Sequence, residues 1–274
     1  MKSFVETGTV LDRILATKVE EVKALYQRES LYEKRNEAIV TPPSTYAFAD
    51  ALRAGENVAL IAEVKHASPS KGVLIDPFEP TELAQTYLQH GASALSVLTD
   101  ERYFQGHLDH LKAIRPLAQC PILRKDFIID ELQIYEARCA GADAILLIVM
   151  ALEEDVLAHL HQTAVSSGLS VLVEVHNEAE MERALKAGAS IIGVNNRDLR
   201  TFKEDLTTLE RIAKEVPSHI TLVAESAIRS ADDVARMGSL GAHAVLVGEG
   251  LVKAEDIGQQ VRSFSSQKRG VIRK

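Results

Sequence analysis

The chain has 274 residues, 46% of them hydrophobic, and a formal net charge of −8. That hydrophobic share fills a large core without a metal or disulfide staple, and the acidic balance argues against a nucleic-acid partner, which needs clustered Lys and Arg. The longest apolar run, Ala144 to Leu152, has nine residues, far below the ~20 that span a bilayer; no membrane partner and a cytoplasmic location are expected.

Met1 to Leu11 lacks the charged start and long apolar run of a signal peptide. In residues 1–46, Thr9 and Asp12 resemble a helix-capping box, and Leu11, Ile14, Leu15, Val22 and Leu25 recur at helical spacing. An N-terminal helical extension is predicted, with two roles open to it: a helix that plugs or flanks the main body, or a lid that also touches substrate. Thr41-Pro42-Pro43 breaks the chain before the next unit.

Residues 47–266 carry an internal repeat. Gly91-Ala92-Ser93-Ala94, Gly141-Ala142-Asp143-Ala144, Gly188-Ala189-Ser190-Ile191 and Gly241-Ala242-His243-Ala244 each lead into a short apolar run, their glycines 50, 47 and 53 residues apart. Glycine ends a helix in the left-handed conformation, and a short apolar run after it reads as a strand buried on both faces. A period near 50 residues suits two β-α units. The intervening strands are Val58 to Lys65, Pro121 to Lys125, Ser170 to Val175 and Ile220 to Glu225. Helical patterns separate them, such as Leu83, Ala84, Tyr87 and Leu88, then Leu108, Leu111 and Ile114. Eight alternating units imply a parallel sheet, and closure removes two long edges. The predicted fold is therefore α/β, a single (β/α)8 TIM barrel with an N-terminal helical extension; an open doubly wound sheet is the alternative. The basic, patternless residues 267–274 are expected to fray. Cys120 and Cys139 show no CxxC spacing and no histidine cluster, which favours two reduced thiols over a disulfide or zinc site.

In such a barrel the active site lies at the C-terminal ends of the strands. The first strand runs Ile61-Ala62-Glu63-Val64-Lys65, and alternation puts Glu63 and Lys65 on one face. The third ends Leu123-Arg124-Lys125-Asp126, and the fifth carries Glu174 in an apolar run. The sixth ends Val194-Asn195-Asn196-Arg197, the seventh Ala224-Glu225-Ser226 and the eighth Val247-Gly248-Glu249-Gly250. Two lysines and two carboxylates in one mouth hold each other's charge and shift each other's pKa, as acid–base catalysis requires. Ser226 and the Gly248 to Gly250 turn occupy the positions after strands seven and eight where barrels of this type often bind phosphate. Ser68-Pro69-Ser70-Lys71-Gly72 is a small polar loop placed to close over a ligand, without P-loop spacing. His66 and His176 follow different strands with no metal-ligand pattern, Ser226 has no Gly-x-Ser-x-Gly elbow, and no GxGxxG follows the first strand. No cofactor is expected, and the expected partner is an anionic, phosphorylated small molecule.

These strand ends, in this order, resemble the indole-3-glycerol phosphate synthase family over essentially the whole chain. The most specific stretches are Ala62 to Gly72, Ser96 to Asp100, Leu123 to Phe127, Gly193 to Leu199 and Ala224 to Ser226, in register on successive strands. The resemblance implies decarboxylating ring closure and dehydration of 1-(2-carboxyphenylamino)-1-deoxyribulose 5-phosphate. It assigns Lys125 as general acid for ring closure and pairs Lys65 with the substrate carboxylate. Glu63 and Glu174 become the candidate bases, Asn195 and Ser226 orienting groups. Phe104 and Phe127 fall near the anthranilate ring, Arg197 supports the mouth, and Ser68, Ala227, Gly248, Glu249 and Gly250 complete the substrate-binding set. Three positions depart from the family's pattern where the phosphate is expected: Ala227 replaces the common Gly, Gly250 the usual Ser or Ala, and His66 the common Arg or Lys. At positive φ, Ala227 costs roughly 1 kcal/mol relative to Gly. A lost hydroxyl and a lost permanent cation weaken phosphate binding by a further ~1–3 kcal/mol. Three other readings compete: a sugar-phosphate barrel enzyme such as an isomerase, which needs a Cys where Glu63 and Lys65 stand; a Schiff-base aldolase using Lys125 or Lys65; and a non-catalytic phosphate-ligand-binding paralogue.

Overall fold

Strands covered on both faces must bury every side chain, and the apolar runs of this sequence do so along almost their whole length. In a computed structural model, which describes residues 4–42, 46–198 and 204–270, they form β1 (Ala59–Val64), β2 (Ala94–Leu98), β3 (Ile122–Lys125), β4 (Ala144–Ile148), β5 (Ser170–Val175), β6 (Ile191–Asn195), β7 (Thr221–Glu225) and β8 (Ala244–Val247). All pair in parallel and close in the order β1-β8-β7-β6-β5-β4-β3-β2. The expected barrel is present, and the open-sheet alternative is not. Strand bounds differ from expectation by a residue at most ends, because Val58, Pro121 and Ile220 lead into the strands, the Pro121 carbonyl still accepting from the Leu95 N–H.

The fourfold Gly-Ala repeat has one structural cause. Gly91, Gly141, Gly188 and Gly241 all have φ between +90° and +106°. In each case the following alanine N–H donates back into the helix just ended: Ala92 to Tyr87, Ala142 to Ala137, Ala189 to Ala184 and Ala242 to Met237. This satisfies an orphaned carbonyl and turns the chain straight into the next strand, a turn that a side chain at the glycine would strain.

Helix α1 (Val10–Arg28) begins at Thr9, whose hydroxyl accepts from the Leu11 N–H. Asp12 reaches further back than a capping box, accepting from the Thr7 and Gly8 N–H groups. The buried stripe is Leu11, Ile14, Leu15, Lys18, Val22 and Leu25, so a lysine sits in the middle of an apolar face. Its ammonium lies 3.1 Å from Asp100 and 2.8 Å from Asp126, carboxylates that are themselves buried just beyond β2 and β3. A second bond joins Tyr103 Oη to the Arg13 carbonyl at 3.0 Å. These anchors set α1 across the C-terminal end of the barrel, where Val10, Leu11 and Ile14 face the central cavity. The extension thus covers this end of the barrel, a position that suits either of the two roles open to it. Helix α2 (Leu31–Val40) continues the extension and packs on the helix Glu131–Cys139.

At the other end of the chain, the tail expected to fray from residue 267 is held as far as Gly270. Val58 N–H donates to the Gln267 carbonyl, Arg269 N–H to the Glu56 carbonyl, and Lys268 bridges Asn57. Edge backbone groups of the lead-in to β1 draw these residues in; residues 271–274 lie outside those described.

Removing one partner of a buried ion pair leaves the other charge uncompensated. Lys18→Met is expected to destabilise the protein by about 3–5 kcal/mol, read as a lowered midpoint in urea unfolding. A midpoint within error of the parent would mean that Lys18 is not the anchor of α1.

Candidate active site

The barrel's register decides which side chains meet. Glu174 lies opposite Gly193, and Asn195 opposite Glu225, while Glu63 is opposite Ser96. Their side chains converge with the residue that ends β3. Lys125 Nζ lies 3.4 Å from Glu225 Oε2, 3.9 Å from Glu174 Oε2 and 4.0 Å from Glu63 Oε2. Lys65 Nζ is 2.5 Å from Glu63 Oε1, and Asn195 Nδ2 donates to Glu174 Oε1 at 3.2 Å. Glu63, Glu174 and Glu225 are at most 4% exposed.

All fourteen residues assigned to the site by sequence line one cavity of about 810 Å3 at this end of the barrel: Glu63, Lys65, Ser68, Phe104, Lys125, Phe127, Glu174, Asn195, Arg197, Ser226, Ala227, Gly248, Glu249 and Gly250. One wall is apolar. Phe104 and Phe127 lie 5.9 Å apart between ring centroids, and Leu98, Ile148, Leu246 and the α1 residues extend the surface. Phe104 is placed by Asp100, whose other oxygen accepts from the Tyr103 and Phe104 N–H groups. The carboxylate that receives Lys18 therefore also caps the short helix bearing this ring. Arg197 is held back at the rim: its guanidinium pairs with Glu204 at 2.6 Å, and its N–H donates to Asn195 Oδ1.

Three buried carboxylates face two ammonium groups, and their protonation divides accordingly. Burial would raise Glu63, but Lys65 and Lys125 more than reverse it and hold the group below the usual carboxylate range. Burial also opposes ionisation of Glu174, and there His176, Lys125 and Asn195 together drive the pKa down. Glu225 goes the other way. Burial raises it, Lys125 only partly compensates, and the Glu174 and Glu63 charges push it up to about 7. Burial would lower Lys125, yet Glu225, Glu63 and Glu174 outweigh it and raise the lysine above its ordinary value. The mouth thus holds an ammonium donor, two ionised carboxylates and one carboxyl that titrates near neutrality.

Glu225 is the main residue that sequence reasoning left without a role. Its signal was present, a single carboxylate ending an apolar strand, the same pattern that singles out Glu174. Its importance is visible in Gly193, where an added Cβ would fall 2.0 Å from Glu225 Oε1. Gly248 is pressed in the same way against Glu63.

The far end of the cavity is built from loops. Ser226 and Ala227 are both left-handed, each with φ of +64°, so the suspected strain at Ala227 is real. Both residues line the cavity, and backbone turns of this kind suit an anion. Two expectations are corrected here. Gly250 is not a simple loss of a hydroxyl, because a Cβ there would lie 2.7 Å from the Ile228 carbonyl oxygen. His66 does not line the cavity at all; its ring stacks on Phe78 with centroids 4.7 Å apart. Glu249 begins a four-residue helix and pairs with Lys253 at 3.0 Å.

The family model described as indole-3-glycerol phosphate synthase matches residues 11–264. The chain is 53% identical to the indole-3-glycerol phosphate synthase of Roseiflexus sp. strain RS-1, over 93% of this chain and 98% of that one. It is 48% identical to the protein of that name from Chloroherpeton thalassium, over 90% and 96%. Among solved structures, 3-hexulose-6-phosphate synthase from Salmonella typhimurium superposes with a TM-score of 0.63 at 16% identity, covering 76% of this chain and 97% of that one. Thiamine phosphate pyrophosphorylase from Pyrococcus furiosus gives 0.60 at 17%, covering 80% and 96%. These two likenesses concern the fold.

Relieving the left-handed alanine is expected to help: Ala227→Gly stabilises by about 1 kcal/mol, whereas Gly250→Ser destabilises, both measured by urea unfolding. The opposite order would refute this account of the two loops. A second expectation concerns pH. Since the Glu225 pKa is raised to about 7 in the folded state, the native state holds a proton that the unfolded chain has released between the ordinary carboxylate value and about 7. Stability from this group therefore falls as pH rises through that window. Glu225→Gln should stabilise the protein more at the alkaline end of the window than at the acid end, and an equal effect at both would contradict the shift.

Proposed function

The chain belongs to the indole-3-glycerol phosphate synthase family and is a decarboxylating lyase of tryptophan biosynthesis, and we propose that Lys125, among its three carboxylates, is the acid on which ring closure turns. The substrate is 1-(2-carboxyphenylamino)-1-deoxyribulose 5-phosphate, and the products are indole-3-glycerol phosphate, carbon dioxide and water. Its aromatic ring suits the Phe104–Phe127 wall, and its phosphate the loops after β7 and β8, with the ribulose chain spanning the cavity between them.

In this orientation the ring carbon bearing the carboxylate attacks the ribulose carbonyl carbon. Electrons move onto the carbonyl oxygen, and Lys125 donates its proton to that developing alkoxide. Lys65 balances the substrate carboxylate until its bond to the ring breaks and carbon dioxide departs, returning the electron pair to the ring. Dehydration then needs an acid for the leaving hydroxyl and a base for a proton. Lys65 fills the first role; Glu174 and Glu63, both ionised, are the candidates for the second. Asn195 holds Glu174 at 3.2 Å, and Ser226 orients the substrate by hydrogen bonding. A positioned acid of this kind contributes typically 10²–10⁴-fold. The single observation that carries the proposal is the Lys125 ammonium within 4.0 Å of buried carboxylates from three other strands.

In the same proposal residues 47–266 are the catalytic barrel and residues 1–46 an extension that supplies its lid. A cytoplasmic location belongs to it too, supported by a small phosphorylated substrate; no helix among the described residues is long and apolar enough to cross a membrane.

Mixing the protein with its carboxyphenylamino-deoxyribulose phosphate substrate and following indole absorbance and fluorescence tests the assignment against a background free of tryptophan. Lys125→Ala is expected to lose turnover by about 10²-fold or more while keeping its far-ultraviolet circular dichroism. Near-parental turnover in that variant would sink the mechanism.

A further inference from the structure

β5 ends at Val175, and the residue after it, His176, carries a carboxylate at each ring nitrogen. Nε2 makes an ion-pair contact with Glu174 Oε1 at 3.3 Å, and Nδ1 lies 3.0 Å from Glu180 Oε2. The ring is buried, with its side chain 8% exposed. Glu180 is itself fixed, since its Oε2 accepts from the His176 N–H at 2.9 Å and its Oε1 from Asn177 Nδ2 at 2.8 Å. Asn177 also caps the helix Glu178–Lys186, which carries Glu180 in its first turn. His176 does not line the cavity, so it acts on the site only through Glu174.

We propose that His176 is the positioning residue that makes Glu174 the ionised base of this site, resting on the reaction assigned above. The comparison with Glu225 carries the argument. Both are buried carboxylates at strand ends, and both face Lys125. Glu225 Oε1 has no hydrogen-bond partner among the described residues, and its carboxylate retains a proton to about 7. Glu174 differs by having a second cation behind it. Burial would strip the proton from His176, but Glu174 and Glu180 hold it in place up to about 10. The imidazolium therefore persists well above the ordinary histidine range. The groups facing Glu174 are Lys125 from β3, Asn195 from β6, and the carboxylates of Glu63 from β1 and Glu225 from β7. Behind the imidazolium stands Glu180, with Glu178 paired to Arg211 at 3.2 Å further out. Asn195 also bonds Glu174 and not Glu225, but of these groups His176 is the charged one that distinguishes Glu174 from Glu225. It breaks the near-equivalence of the two carboxylates and decides which accepts the proton and which keeps one.

Two measurements on the full chain test this. In the first, 15N shifts of the imidazoles are followed with pH: His176 is expected doubly protonated at about pH 8, well above the ordinary histidine value of ~6.5. A neutral ring there overturns the proposal. In the second, His176→Asn and Glu180→Gln are compared with the parent in kcat/KM against pH. The acid limb should move up by about one unit or more in His176→Asn, and in the same direction by less in Glu180→Gln, with KM on the alkaline side changed less than about twofold. An unmoved acid limb in both variants, or an equal loss at every pH, overturns it. If His176→Asn does not fold, Glu180→Gln decides alone. The Lys125→Ala assay run alongside separates the two claims: its failure removes the reaction assignment, whereas unshifted His176 and Glu180 variants beside an inactive Lys125→Ala remove this inference only.

Discussion

The ammonium of Lys125 sits within 4.0 Å of three carboxylates brought from β1, β5 and β7, and much of the molecule is arranged around keeping that group intact. A lone ion in such a place costs several kcal/mol in lost hydration, and it is stable there only with opposite charge and hydrogen bonds around it. The barrel supplies both through register. Strand ends from opposite sides converge on one axis, so each carboxylate approaches the lysine without crowding its own neighbours. The space is taken from residues with no side chain. Gly193 lies where Glu225 needs to pass, and Gly248 where Glu63 does. Substituting either glycine would displace a charged group from its partner, a larger effect than its volume suggests.

A second buried charge cluster stands behind the first. Asp126 follows Lys125 directly and is held by Lys18 and Arg124, while Thr99 donates to it. Asp100 shares Lys18 and caps the helix that presents Phe104. One lysine of the N-terminal extension thus ties α1, the residue after Lys125 and one ring of the aromatic wall into a single unit. This charge fixes where α1 lies over the cavity. An apolar stripe alone would have held α1 against the barrel, but at no particular position along it, since hydrophobic contact is non-directional.

The barrel was legible in the sequence because its signals are local and repeated. Four Gly-Ala turns at nearly equal spacing, each followed by a run buried on both faces, leave little freedom for another architecture. The site was legible to the extent that it shows as charge in apolar strands, which is how Glu63, Lys125, Glu174 and Asn195 stand out. Glu225 carries the same mark, but it directly precedes Ser226 at the start of the loop after β7, where the strand-end pattern gives way to turn residues. Lys18 was hidden for a different reason. The stripe of α1 reads Leu11, Ile14, Leu15, Val22, Leu25, with a gap at position 18 where the i+4 partner of Ile14 belongs, and a gap in an apolar pattern is not itself a prediction. What fills it depends on Asp100 and Asp126, some 80 and more residues away in sequence. His176 shows no metal-ligand spacing in the sequence, and the two carboxylates that flank it come from β5 and the helix that follows.

The two ends of the cavity answer to different constraints, which explains how departures at one leave the other untouched. The catalytic end is fixed by charge pairing in a dry environment, where moving one group changes the protonation of all. The phosphate end is fixed by backbone shape. Two consecutive left-handed residues, Ser226 and Ala227, are strained conformations held by their surroundings, and Gly250 is packed against the Ile228–Arg229 backbone of the loop after β7. A side chain at 250 therefore competes with the Ile228 carbonyl that the Ser226–Ala227 turn positions, so the residues at 227 and 250 constrain one another. His66 stands outside this pair, stacked on Phe78 away from the cavity. None of the three touches Lys125 or its carboxylates. On the proposed assignment, sequence change at the loops after β7 and β8 tunes how tightly substrate is held, while the reaction type stays with the four strand ends that carry Lys125 and its counter-charges.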